Sequence, residues 1–427
     1  MNIVMMTNTY KPIIGGLERS VETLAGELRR RGHRVLIIVP EIDRESGPDD
    51  PGVMRVPAIT RVNHTEFPVQ LPLPNELASR LKLFGPDIIH SHHPFLIGDT
   101  ALRASARFGI PVIFTMHTLY EKYTHYLPFD SAALKRFMVY LSTGYANLCD
   151  HVLAPSRSIR DLLARRGVRT PMSVVPTGIR TVDFVSGRGD DLRRRIGIPP
   201  GAFVVGFVGR VAPEKNIAFL SRAVAMFMAS CPLAYFLVVG SGPSEAEVKQ
   251  AVERAGVGHR LRMAGAMGGG RLSDAYHAMD VFAFASQSET QGLVLAEAMA
   301  ARVPVAAVDA PGVRDIVMDR MNGRLIARED EKEFSDALSW SLKLRTRERA
   351  AIRAACRRTA ERFSLRRTAD RIEDIYWRLY SRGKRAVPRQ DSFSRASHLL
   401  RAEWQIMLNT AKAASRAVLN NDIPVTD

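Results

Sequence analysis

The chain has 427 residues, with 60 Lys and Arg against 44 Asp and Glu, and a formal net charge of +16. At 46% hydrophobic and 24% charged residues it is neither disordered, collagen-like nor a disulfide scaffold, and its length allows two or three domains, each able to bury a core without staples. The three cysteines, Cys149, Cys231 and Cys356, are far apart and form no CxxC pair, which excludes a structural zinc site or redox dithiol and fits a reducing compartment. The start of the sequence lacks a basic region followed by a long apolar run, and no stretch of about 18 apolar residues exists to span a bilayer. The expectation is a cytoplasmic protein, at most attached to the inner membrane face.

In chain order, short runs rich in β-branched residues predict strands at 3–7, 35–39, 87–90, 112–117, 151–155 and 173–175. A second series follows at 203–209, 235–240, 261–264, 281–285, 303–308 and 324–326. Several runs are apolar without alternation, the pattern of strands buried on both faces of a parallel sheet. Helical patterns between them predict α/β units, and the series occurs twice. Residues 178–201 are polar and rich in glycine, with the pair Pro199–Pro200, and mark a domain boundary. Two doubly wound parallel-sheet (Rossmann-like) domains facing across a cleft are expected, with ligands at the C-terminal ends of the strands.

After Ser364 a helix is predicted to about Tyr380, then a basic stretch, then an amphipathic helix over 392–420. The apolar positions of that last helix, Phe393, Ala396, Leu400, Trp404, Met407, Ala411, Ala414 and Val418, step by three or four. The basic excess is densest over 364–427, where 12 basic side chains stand against 7 acidic ones. Such a surface attracts phosphate on a nucleotide, a lipid headgroup or nucleic acid, and charge alone does not choose among them.

Four segments could carry chemistry. Gly15-Gly16 precedes a helix at 17–31, whose first N–H groups suit phosphate; taken alone, the pair is more simply an ordinary glycine turn, and GxGxxG is absent. His90-Ser91-His92-His93-Pro94-Phe95 and Thr115-Met116-His117-Thr118 each follow an apolar strand; the histidines could be acid/base groups, donors or satisfied loop side chains. Neighbours on opposite faces of a strand do not converge as zinc needs, so no metal is expected. Gly209-Arg210, with Glu214-Lys215 after it, places two cations where a diphosphate could bind, or leaves two solvated surface charges. The run Ser286 to Glu297 holds Glu289 before a helix and Glu297 within it, roughly two turns on. Carboxylates there could accept from sugar hydroxyls, and the amides at Gly292 and Leu293 could hold phosphate.

Together these segments resemble the retaining glycosyltransferases of family 4, which have the GT-B fold. The resemblance also rests on Val175-Pro176-Thr177-Gly178-Ile179, Glu297-Ala298-Met299-Ala300 and Met321-Asn322-Gly323-Arg324-Leu325, and covers about 1–380. It implies an acceptor-side domain at 1–178, a nucleotide-sugar-binding domain at 179–363, a helix at 364–380 returning to the first domain, and a basic tail at 381–427. It also implies transfer of a hexose from a nucleotide diphosphate sugar with retained configuration, needing no metal or other cofactor. By position, Gly15 and Gly16 offer backbone to the diphosphate, and Arg210 and Lys215, after Gly209, neutralise it. Glu297 takes the ribose, Glu289 holds sugar hydroxyls, and Gln291, Gly292, Leu293 and Val294 complete the donor set. His117 resembles the histidine beside the reacting carbon.

The segments His90 to Phe95, Met116 to Tyr126 and Ser288 to Gly292, in that order, are similar to diacylglycerol glucosyltransferases. This implies UDP-glucose as donor, a lipid acceptor, and His92, His93, Tyr120 and His125 on the acceptor side. Helix Ala132–Leu148, with Leu134, Phe137, Met138 and Leu141 beside Lys135 and Arg136, could lie on an anionic membrane or pack in the core. Met116 departs from the family, where an aromatic is usual, and the tail past about Arg382 has no counterpart. Its helix could dock on a membrane, a partner or the protein itself. Other readings are a GDP-mannose-dependent mannosyltransferase acting on phosphatidylinositol or a glycan, and a non-catalytic nucleotide-sugar or membrane-binding protein. Nucleic acid is not an expected partner, because no aromatic-interleaved basic platform is visible.

Overall fold

The computed structural model describes residues 1–13, 15–41, 50–59, 69–70, 75–124, 130–383 and 392–419. In chain order the first half holds β1 (Asn2–Met6), α1 (Gly16–Arg30), β2 (Arg34–Pro40), β3 (Val53–Val56), β4 (Ala58–Ile59), β5 (Val69–Gln70), α2 (Asn75–Phe84), β6 (Ile88–Ser91), α3 (Ile97–Phe108), β7 (Val112–Thr115), α4 (Ala132–Leu148), β8 (His151–Ala154), α5 (Arg157–Arg165) and β9 (Met172–Val174). The second half holds α6 (Gly189–Arg195), β10 (Phe203–Val208), α7 (Ile217–Ser230), β11 (Ala234–Val239), α8 (Glu245–Arg254), β12 (Leu261–Met263), α9 (Gly270–His277), β13 (Val281–Phe284), α10 (Leu293–Ala300), β14 (Val305–Val308), β15 (Gly323–Ile326), α11 (Glu331–Leu342) and α12 (Thr346–Arg362). Two helices close the chain, α13 (Leu365–Ser381) and α14 (Ser392–Leu419).

The chain divides into two compact units, Met1–Pro176 with Thr368–Asp427, and Thr177–Arg367. The first carries a seven-stranded sheet in the order β3-β2-β1-β6-β7-β8-β9, the second a six-stranded sheet in the order β12-β11-β10-β13-β14-β15, and every pairing in both is parallel. The central strands are apolar throughout because helices cover both faces: all of Phe203 to Val208 is buried, as is Ile3 to Met6. The strand β3 and the antiparallel pair β4–β5 are additions to the strands read from sequence. They are short and lie at or outside the sheet edge, where hydrophobic patterning is weakest.

Helix α13 packs on the first unit. Ala369, Ile372, Ile375, Tyr376 and Leu379 join Ile3, Met5, Ile37 and Val21 in one core cluster. Arg31 Nη1 donates to Asp370 Oδ1 at 2.8 Å, and His33 Nε2 meets Glu373 Oε1 at 2.5 Å.

Helix α14 also docks on the first unit, antiparallel to α4. Arg136 Nε donates to the Ala417 carbonyl at 2.9 Å, Asn409 Nδ2 to that of Leu141 at 3.2 Å, and Arg103 holds Glu403 through two bonds of 2.6 and 3.1 Å. The helices approach closely at Gly144, where a Cβ would fall 1.6 Å from Asn409 Oδ1. Of the alternatives left open by the sequence, the structure shows the tail helix docked on the protein itself and α4 packed against it. Leu134, Phe137, Met138 and Leu141 are only partly exposed, and α14 lies along that helix.

Candidate functional site

In each sheet the strand order reverses once, and ligands of doubly wound sheets sit beyond the strand ends at such a reversal. In the second unit this lies between β10 and β13. Gly209 follows β10 at φ 152°, and its carbonyl oxygen lies 1.8 Å from where a Cβ on Gly240 would stand, so only glycine lets the β10 and β11 exits pass this closely. Arg210 comes next and is exposed. A 3-10 turn, Pro213–Lys215, then ends at Asn216, which holds the left-handed conformation (φ 53°) at the start of α7.

The loop after β13 is stapled to this turn. The Ser286 and Ser288 hydroxyls both donate to the Glu214 carbonyl, at 3.1 and 3.2 Å. The staple sets Lys215 against Glu289: Lys215 Nζ donates to Glu289 Oε1, which also accepts from Ser286 Oγ at 3.4 Å. Both side chains of the pair are 19% exposed, so the pair is shielded but reachable. Seventy-four residues separate the partners, and sequence spacing gives no sign of their contact.

Gly292 caps α10 in the left-handed conformation (φ 75°, ψ 68°), and Leu293 and Val294, both partly exposed, carry the first-turn amides of that helix. Behind the loop, a Cβ on Gly312 (φ 81°) would stand 2.7 Å from the Gln291 nitrogen and Thr290 carbonyl. This glycine was missed from sequence, although Pro311-Gly312 is a turn signal. The Gln291 side chain, expected in the donor set, is committed elsewhere: its Nε2 donates to the Thr177 carbonyl at 2.9 Å and its Oε1 accepts from the Thr177 N–H at 2.5 Å. It braces the first residue of the unit and has only its backbone to offer a ligand. Glu297 is buried, and its Oε2 accepts from the Tyr276 hydroxyl at 2.9 Å. The two glutamates eight residues apart therefore have separate partners. Tyr276, on α9, was also missed, since nothing local points to it.

In the first unit the reversal lies between β1 and β6, and the histidines gather there. His93 Nδ1 accepts from the Asn8 backbone N–H at 3.1 Å, which puts its proton on Nε2. His90 is buried between the Tyr376 hydroxyl (2.7 Å) on α13 and Thr115 Oγ1 (2.6 Å) on β7. Both act as structural ties, and burial pushes their pKa values down to about 3. His92, its ring tilted against that of His90 at 4.2 Å, bonds through Nδ1 to His117 Nε2 at 2.9 Å. Its Nε2 is buried without a hydrogen-bond partner among the described residues. A bare lone pair there is cheaper than an unpaired N–H. The His92 proton is therefore assigned to Nδ1, donating to His117, whose own proton then lies on Nδ1. Burial holds His92 well below the usual histidine range and pulls the partly exposed His117 down to about 4. Both are neutral at physiological pH.

Other expected site residues fall differently. Gly15 is the extended N-cap of α1 and Gly16 its first residue, but the buried carboxylate of Glu18 comes within 2.4 Å of a Cβ position on Gly15. That acid already complements the positive helix end. Tyr120 is buried, edge-on to Phe95 at 4.9 Å, and burial raises its phenol pKa. His125 lies outside the described residues. Beside Tyr120, Glu121 Oε1 accepts from Arg166 Nη2 at 2.6 Å in an ion pair with both side chains at most 6% exposed, and Glu121 Oε2, Arg166 Nε and Arg166 Nη1 lack further partners among the described residues. Removing one member strands a buried charge, so Arg166→Met should cost about 3–5 kcal/mol in urea unfolding, with Glu121→Gln added restoring much of it. A single-variant loss under about 1 kcal/mol would contradict this burial.

Among the described residues, no three of His, Cys, Asp and Glu converge as a metal-ligand set, and no helix is long and apolar enough to cross a membrane.

Two doubly wound parallel-sheet units in one chain, with a helical C-terminal extension, define the GT-B class of fold. Residues 14–183 match Glycosyltransferase Family 4 and residues 189–359 match Glycosyl transferases group 1, and the chain belongs to the family 4 glycosyltransferases. It is 30% identical over 343 residues to an alpha-monoglucosyldiacylglycerol synthase of Streptococcus pneumoniae, covering 78% of this chain and 76% of that protein. It is 31% identical over 365 residues to a GDP-mannose-dependent alpha-mannosyltransferase of Mycobacterium tuberculosis, covering 83% and 91%. Among solved structures, Anabaena HepE in complex with UDP superposes with a TM-score of 0.71 at 21% identity, over 88% of this chain and all of that one.

Proposed function

We propose that the protein is a retaining hexosyltransferase that moves glucose from UDP-glucose to a membrane lipid such as diacylglycerol, without a metal or other cofactor. The observation that carries the reading is the Lys215–Glu289 pair, stapled at the strand-order reversal beside the start of α10. In this reading Lys215 and Arg210 neutralise the diphosphate, and the α10 amides add fixed dipoles where charge grows on the leaving group. Glu289, oriented by Lys215 and Ser286, accepts from sugar hydroxyls, while Glu297, oriented by Tyr276, takes the ribose. The anomeric carbon–oxygen bond breaks with its electron pair going to the departing diphosphate. The acceptor oxygen bonds to the same face of that carbon, and its proton passes to the phosphate oxygen that leaves. In this reading His117 does not act as the base, because its Nε2 is occupied by His92.

The lipid part draws on the likeness to the monoglucosyldiacylglycerol synthase. The likeness to a GDP-mannose-dependent mannosyltransferase supports a second reading, transfer of mannose to phosphatidylinositol or a glycan. One experiment separates them: the protein with labelled UDP-glucose, UDP-galactose or GDP-mannose, over diacylglycerol vesicles, phosphatidylinositol vesicles or soluble sugars, with and without EDTA. An α-linked glucolipid made from UDP-glucose, undiminished by EDTA, is expected. Turnover from GDP-mannose alone selects the second reading, transfer confined to soluble sugars rejects the lipid acceptor, and no turnover with any donor favours a non-catalytic binding protein.

A further inference from the structure

The apolar stripe that the sequence pattern picks out on α14 is not the one that docks. Ile406, Ala413 and Ala417 are buried against the first unit, whereas Leu400, Trp404, Met407 and Val418 are 70%, 63%, 63% and 75% exposed. At 100° per residue these four share the outward side of the helix, together with exposed Ala396, Ala411 and Ala414. A helix that needed only to cover α4 would carry polar residues there. This one is apolar on two sides, and only the side that carries Ile406, Ala413 and Ala417 is used.

We infer that the outward stripe of α14 is a membrane-interface surface that seats the protein on an anionic bilayer. The charges beside the stripe favour this occupant. Arg401 and Lys412 are exposed along one flank, and the only carboxylate among the described residues of α14, Glu403, is taken by Arg103. Apolar side chains next to a purely cationic flank match the acyl boundary and negative headgroups of a lipid surface. Trp404 has the amphipathic ring that settles at that boundary. A second copy of the chain fits worse, because a self-complementary pairing would set these cations against their own duplicates with no carboxylate on the stripe to answer them. Docking on α4 and α3 makes the helix a rigid ridge, about 42 Å long at 1.5 Å per residue. The helix also lies beyond residue 359, where the family matches end, so the surface is a feature of this chain's extension.

The inference rests on the lipid-acceptor reading only for its purpose. Binding is measured without any sugar donor, so failed transfer and failed binding are distinguishable. The full chain should co-sediment with vesicles of phosphatidylcholine plus phosphatidylglycerol, more weakly with phosphatidylcholine alone, and less as salt rises. Trp404→Asp with Met407→Asp should lower partition at least about tenfold. Arg401→Glu with Lys412→Glu should remove the preference for phosphatidylglycerol. These side chains lie outside the core, so thermal unfolding should be unchanged. Should the double aspartate variant misfold, brominated lipids should still quench Trp404 in a chain carrying Trp340→Phe and Trp377→Phe. Absence of vesicle binding, binding that the substitutions leave unaltered, or a dimer that Trp404→Asp converts to monomer would each overturn the proposal.

Discussion

Lys215→Ala is expected to slow sugar transfer by about two to three orders of magnitude in kcat, with a smaller rise in the donor KM. The Lys215 ammonium is the cation that the fold fixes in place, through the two serine hydroxyls on the Glu214 carbonyl and the bond to Glu289. Its charge gains value as the diphosphate departs, so its loss should fall mainly on the chemical step. The alanine variant also leaves Glu289 uncompensated beside the leaving phosphate, which adds repulsion. Lys215→Arg should recover part of the rate, because a guanidinium keeps the charge but not the compact point geometry. Glu289→Gln should weaken transfer while keeping nucleotide binding, since an amide can still meet Lys215 through its carbonyl. Turnover within a few fold of the parent in Lys215→Ala would remove the electrostatic basis of the proposed mechanism.

The first unit should lose stability steeply in mild acid. His90 and His93 are buried with pKa values near 3, against about 6.5 in an unfolded chain. The unfolded state thus binds more protons throughout that interval. The stability these neutral histidines support is full above pH 6.5 and is lost as pH falls toward 3. At pH 5 each group costs about 2 kcal/mol, and the two together about 4 kcal/mol, a large share of an ordinary domain's stability. His92, also held well below the usual range, acts in the same direction. Urea midpoints taken from pH 7.5 to 5 should show the fall. His93→Gln, whose carbonyl can still accept from the Asn8 N–H, should flatten part of the slope. A midpoint independent of pH over this range would mean that these imidazoles are solvated.

Which parts were legible in the sequence follows from the range of the forces involved. Runs such as Phe203 to Val208 announce buried parallel strands because every side chain must suit an apolar layer on both faces. Glycines at Gly209 and Gly292 announce backbone that only glycine adopts without cost. Gln291 shows the limit of motif reading: the motif puts it in the donor set, but its side chain serves Thr177, over a hundred residues earlier. The sequence leaves His90 open as an acid/base group, a donor or a satisfied loop side chain, and only its bond to Tyr376, 286 residues away, makes it a tie between β6 and α13.

The sequence alone determined the layered architecture, the repeat of two α/β units and the loops that bear the candidate chemistry, because hydrophobic period and backbone permissiveness act over a few residues. Tertiary structure decided which charges meet, which protons the histidines carry, and which side of α14 faces outward. Those outcomes depend on groups distant in the chain competing for the same space. A periodic stripe states that a helix has an apolar side, while only its neighbours decide which side is covered.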